Sequence, residues 1–144
     1  MSHSADLDVT YAPGELSPSI IIRALLAQGW SANDHGLIHY SCPGVEDWND
    51  AALERLEVVL EEMDATWEKK GEQVAITLLW GDSESGGAFL LGEKEGLSFL
   101  PNVNRRTLAR AAGFTDTSWY AERILGVLQS LGQVIETVKW REHV

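Results

Sequence analysis

A chain of 144 residues, 44% of them hydrophobic, is long enough to bury a core of its own and is expected to form one domain. It has no apolar run of membrane-spanning length, and its polar N-terminus lacks the apolar segment of a secretion signal, so we expect a cytoplasmic protein. Its 22 acidic and 11 basic residues give a net charge of −11, which argues against a protein that binds the nucleic-acid backbone.

The first half of the chain alternates predicted strands and helices. Ser17 and Pro18 indicate a helix start, since serine is a common cap and proline suits the first helical position. The predicted elements are a strand at Leu7–Tyr11 at an edge of the sheet, a helix at Pro18–Gln28, a strand at Leu37–Ser41, and a long helix from a cap at Asn49 or Asp50 to Gly71.

The second half contains three closely spaced strands, a helix and a closing strand. Gln73–Trp80 is apolar on both faces, which is typical of a central strand. The segment Thr107–Ala112 is either irregular or the start of a short helix. The other predicted elements are strands at Ala88–Leu91 and Leu97–Leu100, a helix from a cap at Thr115 or Asp116 to Gly132, and a strand at Val134–Trp140. The order β-α-β-α-β-β-β-α-β predicts an α+β fold, with a mixed or antiparallel sheet, a central three-stranded meander and three helices packed against it.

Acidic residues are concentrated on the long helix predicted after Asn49. Residues 1–71 carry a net charge of −9, and Glu46–Glu68 contains nine acids against one base, Arg55. At 3.6 residues per turn the apolar side chains share one face, while the acids recur on another. We call the second set the acidic ridge: Glu54, Glu57, Glu61, Asp64 and Glu68. Such a ridge is either a solvated helix face or a surface that attracts a basic partner.

Two of the six tryptophans have no clear apolar partners in sequence. Trp48 lies between Asp47 and Asn49 at the start of the acidic helix, and Trp30 follows the Gly29 helix stop. An aromatic side chain among acids is typical of a protein-binding hot spot. The alternative is a lid that packs over a helix end.

His35, His39 and Cys42 form the one cluster of soft metal ligands in the sequence. Residues four apart on a strand share a face, so both histidines could point the same way, whereas Cys42 would fall on the other face unless the turn at Pro43 redirects it. Zinc requires three or four convergent ligands, and no second ligand pair completes a site. Ordinary strand residues around a buried cysteine are therefore the favoured interpretation, ahead of a metal site or a Cys–His nucleophile pair. A single cysteine also excludes an internal disulfide.

The loop Gly81–Gly87 combines glycines with two acids, Asp82 and Glu84. Paired carboxylates suit a divalent cation, acid–base catalysis or a contact surface. The loop lacks the ligand spacing of a calcium site, and no lysine follows its glycines as in a phosphate loop. A simple connection between paired strands is the favoured interpretation, and we expect no cofactor.

Basic residues are concentrated in one place, which contains Arg105, Arg106 and Arg110 beside Asn104. The cluster either binds an anionic ligand or pairs with acids of the chain itself. In so acidic a chain internal pairing is favoured.

The small size, the strong negative charge, the α+β class and the absence of an assembled catalytic set resemble the immunity proteins that bacteria pair with secreted toxins. The resemblance implies a non-enzymatic inhibitor of a basic protein such as a nuclease toxin. On this hypothesis the partner-binding residues are the acidic ridge with Trp48, Asp82 and Glu84. The alternatives are a small metal-dependent enzyme and a self-associating subunit, such as a homodimer, that pairs through exposed tryptophans.

Overall fold

A computed structural model describes residues 3–12, 16–42, 48–70, 72–81, 83–92 and 96–144. Within these ranges the chain forms three helices and eight strands. In chain order they are β1 Ser4–Tyr11, α1 Pro18–Ala27, β2 Trp30–Ser31, β3 Leu37–Ser41, β4 Trp48–Ala52, α2 Leu56–Lys70, β5 Val74–Trp80, β6 Gly86–Leu91, β7 Gly96–Val103, α3 Thr117–Ser130 and β8 Ile135–His143. A 3₁₀ turn at Leu53–Arg55 leads into α2. None of the described helices is long and apolar enough to cross a membrane.

The strands form one antiparallel sheet in the order β4-β3-β5-β6-β7-β1-β8, with the short β2 beside β5. The predicted α+β class and the central meander β5-β6-β7 are confirmed. The edge position predicted for β1 is wrong, because β1 pairs with β7 on one side and β8 on the other. The edges of the described sheet are β4 and β8.

The helices pack against one face of this sheet. Alternate residues of each strand point to that face, and they form one buried cluster with the inner sides of the helices. Tyr120 of α3, Phe89 of β6 and Phe99 of β7 lie at its centre, all with 0% exposure. On the other face Ala75, Ala88 and Leu90 form a small separate cluster against Leu100. That face carries no helix among the described residues, so its outer strands are polar.

The start of the acidic helix was predicted wrongly. Asn49 and Asp50 do not cap a helix but lie in β4, which pairs with β3. Their low strand propensity is outweighed by backbone pairing with β3, so tertiary context overrides the local preference. The two-residue strand β2 was also missed. Gly71, the predicted helix stop, lies outside the described residues.

Two further expectations concern helix caps. Asp116 caps α3 as predicted, since its side chain accepts the Trp119 N–H. Ser17 occupies the N-cap position of α1, yet its side chain makes no cap hydrogen bond. An acid on α2 accepts the hydrogen bond from this end of α1 instead, as described below.

The alternative of a helix at Thr107–Ala112 is wrong, because this segment is a turn closed by a bridge between Thr107 and Thr115.

Candidate functional site

The acidic ridge faces away from the sheet because the opposite side of α2 belongs to the core. Val59, Leu60, Met63 and Trp67 are buried there with 8% exposure or less. Glu54, Glu57, Glu61 and Glu68 of the ridge are exposed, and Asp64 is half-buried. The sequence pattern therefore located an acidic outer surface correctly on this helix and the turn before it.

Two ridge residues are occupied by contacts with α1. Both carboxylate oxygens of Glu57 accept hydrogen bonds from the Arg23 guanidinium, and the Nη1–Oε1 distance is 3.0 Å. This hydrogen bonding lowers the pKa of Glu57 from its ordinary value. Asp64 accepts the Ser19 N–H at 2.9 Å through Oδ1 and the Ser19 hydroxyl through Oδ2. These two acids therefore join α2 to α1.

The other three members, Glu54, Glu61 and Glu68, have no hydrogen-bond or ion-pair partner within the described ranges. We call them the outer carboxylates. Val58 lies among them, four residues after Glu54 and three before Glu61, and 49% of it is exposed. The sequence analysis did not single out Val58. Its position next to Val59 nevertheless indicates exposure, because consecutive helical residues point in different directions and Val59 belongs to the buried face. An exposed valine between unpaired carboxylates is a small apolar centre within a charged rim.

Trp48 does not join this surface. It lies on β4 and pairs with Ser41, on the sheet face opposite the helices. There it is 41% exposed at a depression of about 430 Å³ that is also lined by Thr77, Ala88 and Leu90. The structure thus separates the predicted aromatic anchor from the acidic ridge by the thickness of the sheet. Trp30, the other candidate, is buried against Trp80, Phe89 and Phe99.

The side chains of His35, His39 and Cys42 do not point to a common site. The two nitrogens of His39 lie 2.5 Å from an Asp50 oxygen and 2.8 Å from an Asp34 oxygen. The hydrogen bond with Asp50, reinforced by Asp34, raises the pKa of His39 above its ordinary value. His35 is also near Asp34, at 3.8 Å, but its side chain is 97% exposed.

Cys42 lies on the helix side of the sheet, away from His39. Its thiol donates to Thr66 Oγ1 of α2 at 2.9 Å, and burial raises the pKa of the Cys42 thiol. No group of three potential ligands capable of holding a metal ion occurs among the described residues. Cys42 and His39 thus lie on opposite faces of the sheet, as the alternation of side chains along a strand predicts.

The loop after β5 is only partly described. Asp82 lies outside the described residues, while Glu84 is exposed and its carbonyl accepts a hydrogen bond from Asn104 Nδ2 at 3.0 Å. Ser83 closes the turn by donating its N–H to the Trp80 carbonyl at 2.9 Å. Glu84 shares a polar depression of about 450 Å³ with Asp34 and His35, and it is not part of the α2 surface.

Comparison with known protein families, with curated proteins and with solved structures found no match. The functional argument therefore depends on the geometry of the chain. The outer side of α2 and of the turn before it, which carries the outer carboxylates and Val58, is the surface on which the predicted charge and the observed exposure coincide.

Proposed function

We propose that the chain is a non-enzymatic protein-binding domain that recognises a basic protein through the outer side of α2. In its most specific form, the domain is an immunity or inhibitor protein that occupies the cationic cleft of a toxin such as a nuclease. The observation that carries the proposal is the set of outer carboxylates, which are exposed and unpaired among the described residues, with Glu54 and Glu61 within a helical turn of the exposed Val58.

Unpaired carboxylates suit this role for an energetic reason. Glu57 would have to leave Arg23 before it could pair with a partner, so much of the new interaction would replace an old one. The outer carboxylates lose only hydration on binding. Together with the net charge of −11 they would also attract a basic partner at long range and raise the association rate at low salt.

Val58 would supply the part of the affinity that salt does not screen. Its exposed side chain lies between Glu54 and Glu61, where an apolar group of the partner could cover it while the acids form the rim. Interfaces commonly combine an apolar centre with a charged rim in this way.

The first test is affinity capture with the tagged protein from its native source, followed by mass spectrometry. We expect one basic protein in stoichiometric amount, and we expect the double variant Glu54→Gln/Glu61→Gln to retain much less of it. The matched control is Glu122→Gln/Glu136→Gln, which removes the same charge from exposed positions on α3 and β8.

Association kinetics with the captured protein then test the mechanism. At low salt the double variant should associate roughly tenfold more slowly than the wild type, and the two rates should converge as salt shortens the Debye length. The control should differ from the wild type by about twofold or less, as expected for charges outside the interface. Equal losses in the two double variants, or capture only of acidic proteins, would contradict the proposal.

A further inference from the structure

The outer edge of β8 has no strand beside it in the described sheet. β8 spans nine residues, Ile135–His143, and pairs with β1 along its inner edge. The opposite edge of the sheet is β4, which is only five residues long. An unpaired edge offers backbone N–H and carbonyl groups to a further strand, and natural proteins limit such pairing by keeping edge strands short. β8 is the longer of the two open edges and lacks this protection.

The middle of β8 is open on both faces of the sheet. The four consecutive residues 136–139 are all exposed. Directly opposite residues of paired strands share a face, and Val138 lies opposite Val9 of the core cluster, so Val138 points to the helix side. On that side 41% of Val138 is still exposed, although α3 packs against the same face. A further strand beside β8 would cover this apolar side chain.

The segment that contains β8 is electrically neutral, unlike the rest of the chain. Residues 134–144 contain two acids, Glu136 and Glu142, and two bases, Lys139 and Arg141. The whole net charge of −11 therefore lies in residues 1–133, in part on the acidic ridge. A second copy of the chain meets less electrostatic repulsion along β8 than along α2.

The sequence of β8 fits an antiparallel copy of itself about a two-fold axis at Val138. In that register Val138 lies opposite the same residue of the second copy, and each charged residue of β8 lies opposite an uncharged one. The opposed pairs within β8 are Glu136 with Trp140, Thr137 with Lys139, and Ile135 with Arg141. The register therefore joins residues 135–141 of both copies without a directly opposed pair of like charges, which would destabilise the sheet.

Other registers are less favourable. Because side chains alternate between the two faces, the axis has to pass beside a residue and not between two residues. An axis at Lys139 would oppose two lysines, and an axis at Trp140 would oppose Lys139 to Arg141. An axis at Thr137 avoids like charges but joins only residues 135–139 of β8. We propose that the outer edge of β8 is an interaction surface for a second copy of the chain, and that antiparallel β8–β8 pairing about Val138 joins the two sheets into one.

Sedimentation velocity of the purified protein, over a range of protein and salt concentrations, tests the pairing. We expect a reversible equilibrium between monomer and dimer. Added salt should strengthen the dimer, because it screens the repulsion between two chains that each carry a charge of −11. Val138→Lys would place two cations opposite each other at the axis, so it should weaken the dimer about tenfold. The matched control is Ile20→Lys on α1, which introduces the same charge at an apolar residue with the same 41% exposure and should change the affinity by about twofold or less.

Disulfide formation tests the register. In a Cys42→Ser background, Val138→Cys should give a covalent dimer under mild oxidation, because directly opposite Cβ atoms lie about 5 Å apart, within a small shift of disulfide distance. Glu136→Cys is the control on the same face of the same strand. Its two copies would be four residues apart along the paired strands, so it should give little covalent dimer.

Thermal unfolding of each variant verifies that it is folded during these measurements. A monomer at every concentration and salt, equal weakening by Val138→Lys and Ile20→Lys, or equal cross-linking by the two cysteine variants would overturn the proposal. A dimer that weakens as salt rises would also overturn it, since attraction between opposite charges would then hold the copies together. The function proposed for α2 is tested separately, because binding of a basic partner should weaken with salt whereas the β8 dimer should strengthen.

Discussion

Replacement of Asp64 by alanine should destabilise the protein although Asp64 belongs to a surface helix. The residue caps α1 from α2: its Oδ1 accepts the N–H of Ser19, the second residue of α1, and its Oδ2 accepts the Ser19 hydroxyl. Ser17 at the N-cap position provides no such bond, and Pro18 has no N–H. Asp64→Ala therefore leaves the α1 terminus without its side-chain acceptor.

The expected loss follows from the contacts that disappear. Loss of an N-cap acceptor costs about 1 kcal/mol, and hydrogen bonds to a charged group contribute about 1.5–3 kcal/mol. Asp64 is half-buried, so water can satisfy part of the exposed N–H, and we expect a net loss of about 2 kcal/mol. For a chain of 144 residues this lowers the melting temperature by about 6 °C.

Urea unfolding monitored by tryptophan fluorescence measures the free energy of unfolding. Asp64→Asn keeps one acceptor oxygen and the shape, so about half of the loss should remain. Glu61→Ala, on the exposed side of the same helix, should change the stability by less than about 0.5 kcal/mol. If Asp64→Ala were no more destabilising than Glu61→Ala, the capping argument would be refuted.

Four other predictions concern the titration of His39, two glycine positions and the reactivity of Cys42. Because Asp50 and Asp34 raise the pKa of His39, protonated His39 stabilises the fold fully below the unfolded-state pKa of about 6.5, and this contribution is lost as pH rises through the folded-state pKa. The free energy of unfolding in urea should therefore decline over this pH range in the wild type, and His39→Gln should lack this decline. Gly126→Ala in α3, where an added Cβ meets nothing within 4 Å, should raise the free energy of unfolding in urea by about 0.5–1 kcal/mol. Gly87→Ala would place a Cβ 1.9 Å from the Leu100 carbonyl oxygen, so circular dichroism should show loss of the folded state. Cys42 should react with iodoacetamide at neutral pH more slowly than after unfolding, and equal rates would contradict its contact with α2.

The parts of the fold that were predictable carry strong periodic signals. The meander strands have alternating or continuous apolar side chains, and α3 has a capping Asp116 followed by an apolar stripe. The segment Trp48–Ala52 lacks such a signal, because its Asn and Asp are typical of a helix cap. Trp48–Ala52 is a strand because its backbone pairs with β3, and a pattern within the segment itself does not show that pairing. For the same reason Trp48 was expected at the start of the acidic helix, whereas it lies on β4.

For the candidate surface on α2, the charge could be predicted from the sequence, but the hydrogen bonds and ion pairs of its acids could not. Helical phase alone places the acidic ridge on the outside of α2, as observed. Which ridge acids are free depends on α1, because Arg23 and Ser19 contact Glu57 and Asp64. No local pattern encodes that helix-to-helix register. The same limit applies to Arg105, for which pairing with an acid was favoured, because its guanidinium donates instead to the Gly113 carbonyl and the Thr115 hydroxyl.

The division within the ridge has a consequence for any binding experiment. Glu57 and Asp64 hold α1 against α2, so their substitution alters the surface and the stability together. The outer carboxylates contact no described residue through a hydrogen bond or ion pair, so glutamine there should change electrostatics without changing the fold. A loss of binding in Asp64→Ala would therefore be ambiguous, whereas the same loss in Glu54→Gln/Glu61→Gln, with the unfolding transition unchanged, would identify the contact surface directly.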